Sequence, residues 1–552
     1  MGAVMMFGLI MSQVGQFPVA SINLQNLNQE QNINSLAVPL VAANAPTIFI
    51  NGIDPMHSWS NTTACPWING SGTWASPYTL ANLTIDGGSG AYCIWIENSQ
   101  SPFRIVNCTI THAGSGFLNA GLKLGTNVTN GIIANNTCLN NQYDGIYCYT
   151  SVVPTNFTIT GNNCTGNLND GIGLSYFTNC TLVGNNCTGN LYGIDLQNSG
   201  NVTVSGNFCM GSVYGIQCGS SSSTANDTIV GNICTKNTFA GASISNIAIN
   251  NNYTIIGNSF TNNTGNGISL TSIVNSTLTG NNCTGNTQAG ISLLSASAYN
   301  NLTGNNCTGN SQTGISLSGA SNYNNLTGNN CTGNGTTLDG ITLSSSNYNN
   351  IWGNFCGNCT GGVGIALSSS DNNTISGNLC KNCTGGIGIA ITSSDFNNLT
   401  GNTCFGHNAG INVTSSLNNF LVANNCTSNL NYGIFLSFAN NSRLTNNTCT
   451  ANSGSAGIQL QSSRNDVIDA NNCTQCNSGI YVAGSLNMTF SGNNCTWSAN
   501  GIYLTSSNNN NISGNLFTNN TAGYGIEVEA SNGNQLIGNN CSGNLDGIIL
   551  DI

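Results

Sequence analysis

The chain has 552 residues, of which only 4% are charged: six Lys plus Arg stand against 17 Asp plus Glu, for a net charge of -11. Nucleic-acid binding needs Lys and Arg clustered against phosphate, so this composition excludes it, and an anionic membrane surface is disfavoured for the same reason. Beyond the N-terminus no apolar stretch reaches 18 residues, so no transmembrane helix is expected.

At the N-terminus an apolar run, Ala3 to Met11, is followed by small residues up to Ala20. Residues 1–20 resemble a signal segment, although no Lys or Arg precedes the run. Residues 21–104 read as a lead-in and cap with the first coils, and 105–552 as one repeat domain. The heptapeptide Gly-Asn-Asn-Cys-Thr-Gly-Asn stands whole at Gly161 to Asn167, Gly184 to Asn190, Gly280 to Asn286, Gly304 to Asn310 and Gly328 to Asn334. Looser copies fill the gaps, from Gly206-Asn207-Phe208-Cys209 to Gly538-Asn539-Asn540-Cys541, with a period of about 22 to 26 residues. Such a period marks a solenoid. Gly-Ile-x-Leu recurs in phase, as at Gly171 to Leu174 and Gly193 to Leu196, and an apolar residue such as Leu182 or Leu278 precedes each Gly-Asn pair by two.

Each period therefore holds three short apolar bursts split by Asn, Gly, Ser and Thr. None is long enough for a helix, and short β-tending runs between turn residues read as strands. The expected fold is all-β: a single-stranded parallel β-helix of about 19 coils with three strands each. Coils stacked about 4.8 Å apart give a rod of about 90 Å.

Cys164, Cys187, Cys209 and their counterparts as far as Cys541 share one repeat position, which Phe260 and Phe517 fill in two other coils. A position that takes Cys or Phe is apolar and buried. The neighbouring Asn residues are expected to hydrogen-bond from coil to coil. The 25 Cys are an odd number, so at least one is unpaired within the monomer. Stacked Cys fall within disulfide distance, but parallel Cβ directions suit a bridge poorly, so reduced thiols are expected. Cys356/Cys359 and Cys380/Cys383 together have zinc-like spacing. Because Cys356 and Cys380 belong to the inward position, convergence of all four is disfavoured, and a Cys359–Cys383 disulfide is the expectation. Asn163, Asn186, Asn282, Asn306 and Asn330 begin sequons and are glycosylation candidates, although stacked turns alone would demand the same Asn and Thr.

The Asn-rich turns, the Gly-Ile-x-Leu strand and their spacing resemble right-handed parallel β-helix repeat proteins of the NosD-like, carbohydrate-binding and sugar-hydrolase type. The opening segments Pro46 to Ile50, Gly70 to Trp74 and Leu83 to Gly87 are similar to those of archaeal and bacterial surface members. The resemblance covers residues 45–552 and implies the handedness. It implies no single activity: relatives cleave or epimerise polysaccharide, assist copper-site maturation, or serve as surface proteins. The polygalacturonase motifs Asn-Thr-Asp, Asp-Asp, His-Gly and Arg-Ile-Lys are absent.

Ionisable residues concentrate in the N-terminal third. Asp144 and Asp170 both stand in Asp-Gly-Ile and are expected to stack one coil apart. Lys123 and Asp195 occupy the outward position of their strands, as does Tyr147, and His112 lies in a turn of the preceding coil. Two stacked carboxyls would raise one pKa or draw in Ca²⁺; apart from that ion no cofactor is expected. Ordinary turn chemistry is the competing explanation. Asp371 and Asp395 form a second stacked pair, read as turn residues. His57 and His407 stand without recognisable partners. The outward aromatics Tyr147, Tyr481, Tyr503 and Phe435 are too scattered for one platform.

Three functions follow. The first is a secreted or cell-surface rod, periplasmic in a bacterium, that is non-catalytic and structural, adhesive or glycan-binding. Its partners would be a glycan or a cell-envelope component, with end-to-end self-association at an open last edge. The second is a polysaccharide lyase, hydrolase or epimerase using the Asp144/Asp170 face. The third, implied by the resemblance, is a NosD-like metal (copper) accessory protein using Cys or His.

Overall fold

A computed structural model describes residues 43–61, 65–149, 155–220, 226–246, 251–335 and 338–551. The signal-like segment 1–20 lies outside the described residues. Among these, every regular element is a strand. The strands build a right-handed parallel β-solenoid of about 19 turns.

One coil shows how the sequence makes the fold. Tyr192–Gln197 lies in the first sheet, Thr203–Ser205 in the second and Phe208–Met210 in the third. Each pairs in parallel with its equivalent one coil on, with Ile194 opposite Ile216, Val204 opposite Ile229 and Cys209 opposite Cys234. Side chains alternate across each strand. Ile194, Leu196, Val204 and Cys209 therefore point inward and are buried, whereas Asp195 and Thr203 face out. Stacked coils merge these residues into one core running from Ala45 to Val528. Pairing begins early, with Ala43 opposite Leu83 and Ile48 opposite Ile94, so the described strands before residue 105 already belong to the stack.

Two kinds of glycine make the coil possible. Gly184 and Gly206 turn the corner between the second and third sheets at φ 62° and 60°, a left-handed conformation that L side chains resist. Gly193, the Gly of Gly-Ile-x-Leu, instead lies against the core: a Cβ there would fall 2.5 Å from the Gly215 carbonyl oxygen and 2.9 Å from Cys209 Cβ. The Asn after each corner glycine turns inward. Asn185 Nδ2 donates to Asn207 Oδ1 at 2.9 Å and to the Ile159 carbonyl at 2.9 Å, and Asn207 Oδ1 also accepts the Asn185 backbone N–H. The same arrangement recurs from Asn136 to Asn515, so the corner's buried amides are satisfied from coil to coil.

Candidate functional site

The first sheet's outward column reads Trp95, Lys123, Tyr147, Gly173, Asp195, Gln217, one residue per coil. Beside it, Asp144 and Asp170 open consecutive strands, Asp144–Tyr149 and Asp170–Ser175. They are 0% and 3% exposed. Asp144 Oδ1 accepts the Asp170 backbone N–H at 2.9 Å and Asn169 Nδ2 at 2.8 Å. Gly173 lacks a side chain where every neighbour in the column has one, and a Cβ there would overlap Asp170 Oδ2. The gap is a pocket of about 250 Å³ whose walls include Phe117, Tyr143, Tyr147 and Gln197 around the three acids. Asp195 accepts a hydrogen bond from Gln197 Nε2 at 2.8 Å.

Burial dominates the electrostatics. It pushes Asp144 up to about 7, against the hydrogen bonds from Asp170 and Asn169, and Asp195 up to about 7. Asp170 is raised well above the ordinary carboxyl range, first by burial and then by the charges of Asp144 and Asp195. Burial and the Asp144 charge also raise the Tyr147 phenol. Three carboxyls this close resist full ionisation at neutral pH and titrate as a group. Asp144 Oδ2 and Asp170 Oδ1 are buried without a hydrogen-bond partner.

Asp144, Asp170, Asp195 and Tyr147 thus border one pocket, whereas His112 and Lys123 stay outside it. His112 Nδ1 lies 3.1 Å from Asp86 Oδ2 on an exposed turn. The Lys123 ammonium sits 4.9 Å from the centre of the Trp95 ring one coil away. Nor are His57 and His407 without partners. His57 Nδ1 lies 2.6 Å from Asp54 Oδ2. His407 takes an Asn position in a second inward column: its Nδ1 accepts the Cys383 backbone N–H at 3.2 Å and its Nε2 faces the Cys380 carbonyl at 3.0 Å. The imidazole thereby imitates an amide, one acceptor and one donor. Asp371 and Asp395 serve the turns, with Asp371 Oδ1 accepting the Asp395 backbone N–H at 2.7 Å and Asp395 Oδ1 that of Leu417 at 2.7 Å.

The expected disulfide is not formed. Cys359 and Cys383 are free and buried; their thiols lie within hydrogen-bond reach of each other, and Cys359 Sγ also lies 3.4 Å from the Gly357 carbonyl. Cys356 and Cys380 point into the core, opposite each other in register. Among the described residues no group of three or more His, Cys, Asp or Glu is placed to hold a metal ion. The sequon residues are half-buried and stacked, with Asn186 Nδ2 donating to Asn163 Oδ1 at 3.1 Å and Asn306 Nδ2 to Asn282 Oδ1 at 3.3 Å. Acceptors one coil apart are about 4.8 Å apart, too close for both to carry a glycan.

One feature escaped the sequence reading. Tyr299, Tyr323 and Tyr348 form an exposed stack with ring centres 5.0 Å apart and planes within 5°. All three adopt φ of 57° or 58°, at a turn position that Asn372, Asn418 and Asn441 fill in later coils. The recurrent Tyr-Asn-Asn at these three turns was the available signal. Tyr481 and Tyr503, expected to be scattered, also stack, at 5.2 Å.

Solved structures with which the chain can be aligned include a mutant of the periplasmic alginate epimerase AlgG, 14% identical, covering 63% of this chain and 80% of that one with a TM-score of 0.34. The A-module of Azotobacter vinelandii mannuronan C-5 epimerase AlgE4 is 15% identical over 63% and 88%, with a TM-score of 0.33. The Dettilon tailspike protein is 16% identical over 59% and 62%, with a TM-score of 0.34. No curated protein matches the chain. A model of the right-handed β-helix region matches residues 67–232. The model described as periplasmic copper-binding protein (NosD) matches residues 225–360, 357–495 and 454–552. Copper does not fit the donors present: the column thiols face one another inside the core, and both ring nitrogens of His407 are engaged. Because the NosD model accounts for more than half of its length, the chain belongs to the NosD family.

Proposed function

We propose that this protein is a glycan-binding solenoid of the cell envelope, acting in the periplasm or outside the cell, whose ligand seats in the Asp144–Asp170–Asp195 pocket. One observation carries the reading: the carboxyls of Asp144, Asp170 and Asp195 line one pocket walled by aromatic rings, with Asp170 Oδ2 facing the gap left at Gly173 and one oxygen each of Asp144 and Asp170 buried without a partner. Few convergent polar groups in a largely apolar hollow are the usual make-up of a small-ligand site. The family's description as periplasmic supports the location. No helix among the described residues is long and apolar enough to cross a membrane.

The pocket lining holds no Lys, Arg or His, so a uronate carboxylate would meet only acids. This argues against polyuronides as the ligand. A second reading, cleavage of a neutral glycan with Asp144 as general acid, draws support from its pKa of about 7.

Glycan-array binding, followed by titration calorimetry of the hits, tests the proposal. Wild-type protein is expected to retain a defined class of oligosaccharide, and Asp170→Asn to weaken it at least tenfold. A wild-type protein that binds nothing on a broad array refutes the reading. Reducing-end release from the bound glycan would decide in favour of the enzyme.

A further inference from the structure

We infer that the group recognised in this pocket is a protonated primary amine, so that the ligand is an amino sugar with its nitrogen free. The inference rests on the glycan-binding reading above and names the chemistry of its ligand.

Three features of the pocket lead to it. The first is charge: three carboxyls line one small hollow with no cation among them. The nearest ammonium, that of Lys123, stands in the coil before Tyr147 and is turned onto Trp95. The second is unmet hydrogen bonding. Asp144 and Asp170 each keep one buried oxygen without a partner, Asp170 Oδ2 faces the gap left at Gly173, and Asp195 adds a third carboxyl to the lining; ionised, all are pure acceptors. An ammonium brings three donors and no acceptor, the complement of that set. The third is the wall. Tyr143, Tyr147 and Phe117 border the acids, with Phe117 and Tyr143 packed edge to face at 6.2 Å. Aromatic rings beside carboxylates attract an ammonium through the ring quadrupole as well as through charge.

Other ligand groups fit less well. A sugar hydroxyl can satisfy one acceptor but leaves the mutual repulsion of the acids in place. An ammonium relieves that repulsion, because the opposite charge favours the ionised carboxyls that burial disfavours. A uronate adds a fourth negative charge. Among the described residues no three such side chains are placed to coordinate a metal ion, whereas an ammonium needs only hydrogen-bond distance to the carboxyls that line the hollow. N-Acetylation of the sugar nitrogen abolishes the charge and two of its donors, so it is the sharpest single change to the ligand.

The test uses the full chain and four probes: a β-1,4-linked glucosamine tetramer, its fully N-acetylated form, a mannuronate tetramer and spermidine. Calorimetry at pH 6.5 is expected to show the free-amine tetramer binding at least tenfold more tightly than the N-acetylated one, and the mannuronate tetramer not binding. Asp170→Asn should remove that preference. Gly173→Ala, which fills the pocket while leaving every charge in place, should remove binding; thermal melts verify that both variants fold. Equal affinity for the acetylated and free-amine tetramers overturns the ammonium assignment and leaves the glycan reading standing. Spermidine binding as tightly as the glucosamine tetramer upholds the ammonium and overturns the glycan. Binding of none of the four overturns both.

Discussion

The buried acids are where single residues depart from what their positions ask for. Asp227 and Asp466 occupy a turn column that Asn300, Asn324 and Asn510 fill elsewhere, and each accepts one backbone N–H through Oδ1, from Val202 at 2.8 Å and Ser442 at 2.7 Å. An Asn there has a donor for the remaining contact; Asp466 Oδ2 has none. Burial pushes Asp227 up to about 7 and Asp466 up to about 8, alongside Asp144 and Asp195 at about 7. In an unfolded chain these groups titrate near 3.9. Between about pH 4 and 8 the native state therefore holds more protons than the unfolded state, and stability falls as pH rises. That contribution is complete below about pH 4 and lost through pH 7 to 8. The exposed pairs at Asp54 and Asp86, whose acids are lowered by hydrogen bonds, act in the opposite sense but are screened by water. Melting scans should give a higher Tm at pH 5 than at pH 8, and Asp466→Asn should stabilise the protein by about 1–3 kcal/mol at pH 8, the cost of an unpaired buried polar group. A Tm that climbs from pH 5 to 8 would show these acids ionised and paired. Asp144 and Asp170 were legible in the sequence because Asp-Gly-Ile recurs one period apart. Asp227 and Asp466 were not, since the partner of each is a backbone amide 24 or 25 residues earlier, in the preceding coil.

At the level of the coil, glycine separates two constraints that look alike in the sequence. Gly184 needs only its dihedral angle: at φ 62° a Cβ would meet nothing within 4 Å. The chain has already made the replacement, since Ala423 and Ala470 hold the same corner at φ 54°. Gly193 needs the absence of any Cβ, because the Gly215 carbonyl and Cys209 fill that space. Gly184→Ala should cost about 1–2 kcal/mol, the ordinary left-handed penalty. Gly193→Ala should cost distinctly more, by forcing backbone and core apart. Urea unfolding of the two variants measures the difference, and equal losses would show that the core yields. The Gly-Asn turn was readable from its residue types alone. The Gly of Gly-Ile-x-Leu was readable as a repeat but not as a packing constraint, because its neighbour belongs to the next coil. The tyrosine stack was hidden for a related reason: local rules place Asn or Gly at φ near 57°, so Tyr there is intelligible only once three coils are superposed.

Across the whole solenoid each coil touches mainly the coils before and after it, so stability is close to a sum over neighbours. Among the described residues the strand Asp546–Asp551 pairs on one side only, and Ile548 and Leu550 there are 49% and 61% exposed, whereas Ile502 and Leu504 two coils earlier are fully buried. Amide exchange should be fastest in Asp546–Asp551 and slow progressively toward the middle of the stack; uniform protection along the chain would mean that the coils open all together. The fold could be read from 552 residues because its information is periodic and every coil repeats it. The pocket could be read only in part, because it is made by a single omission, the side chain missing at Gly173.

The thiol column has a further consequence. From Cys283 to Cys495 ten successive coils each place one sulfur in the core at the same position, sealed from solvent in the folded state. A thiol-specific alkylating agent can mark such a sulfur only while its own coil is open. The marks are covalent and survive digestion, so peptide masses would register which coils had opened and in what order. The molecule thus carries an internal gauge graduated one coil at a time, and partial unfolding can be located along the stack without introducing any label.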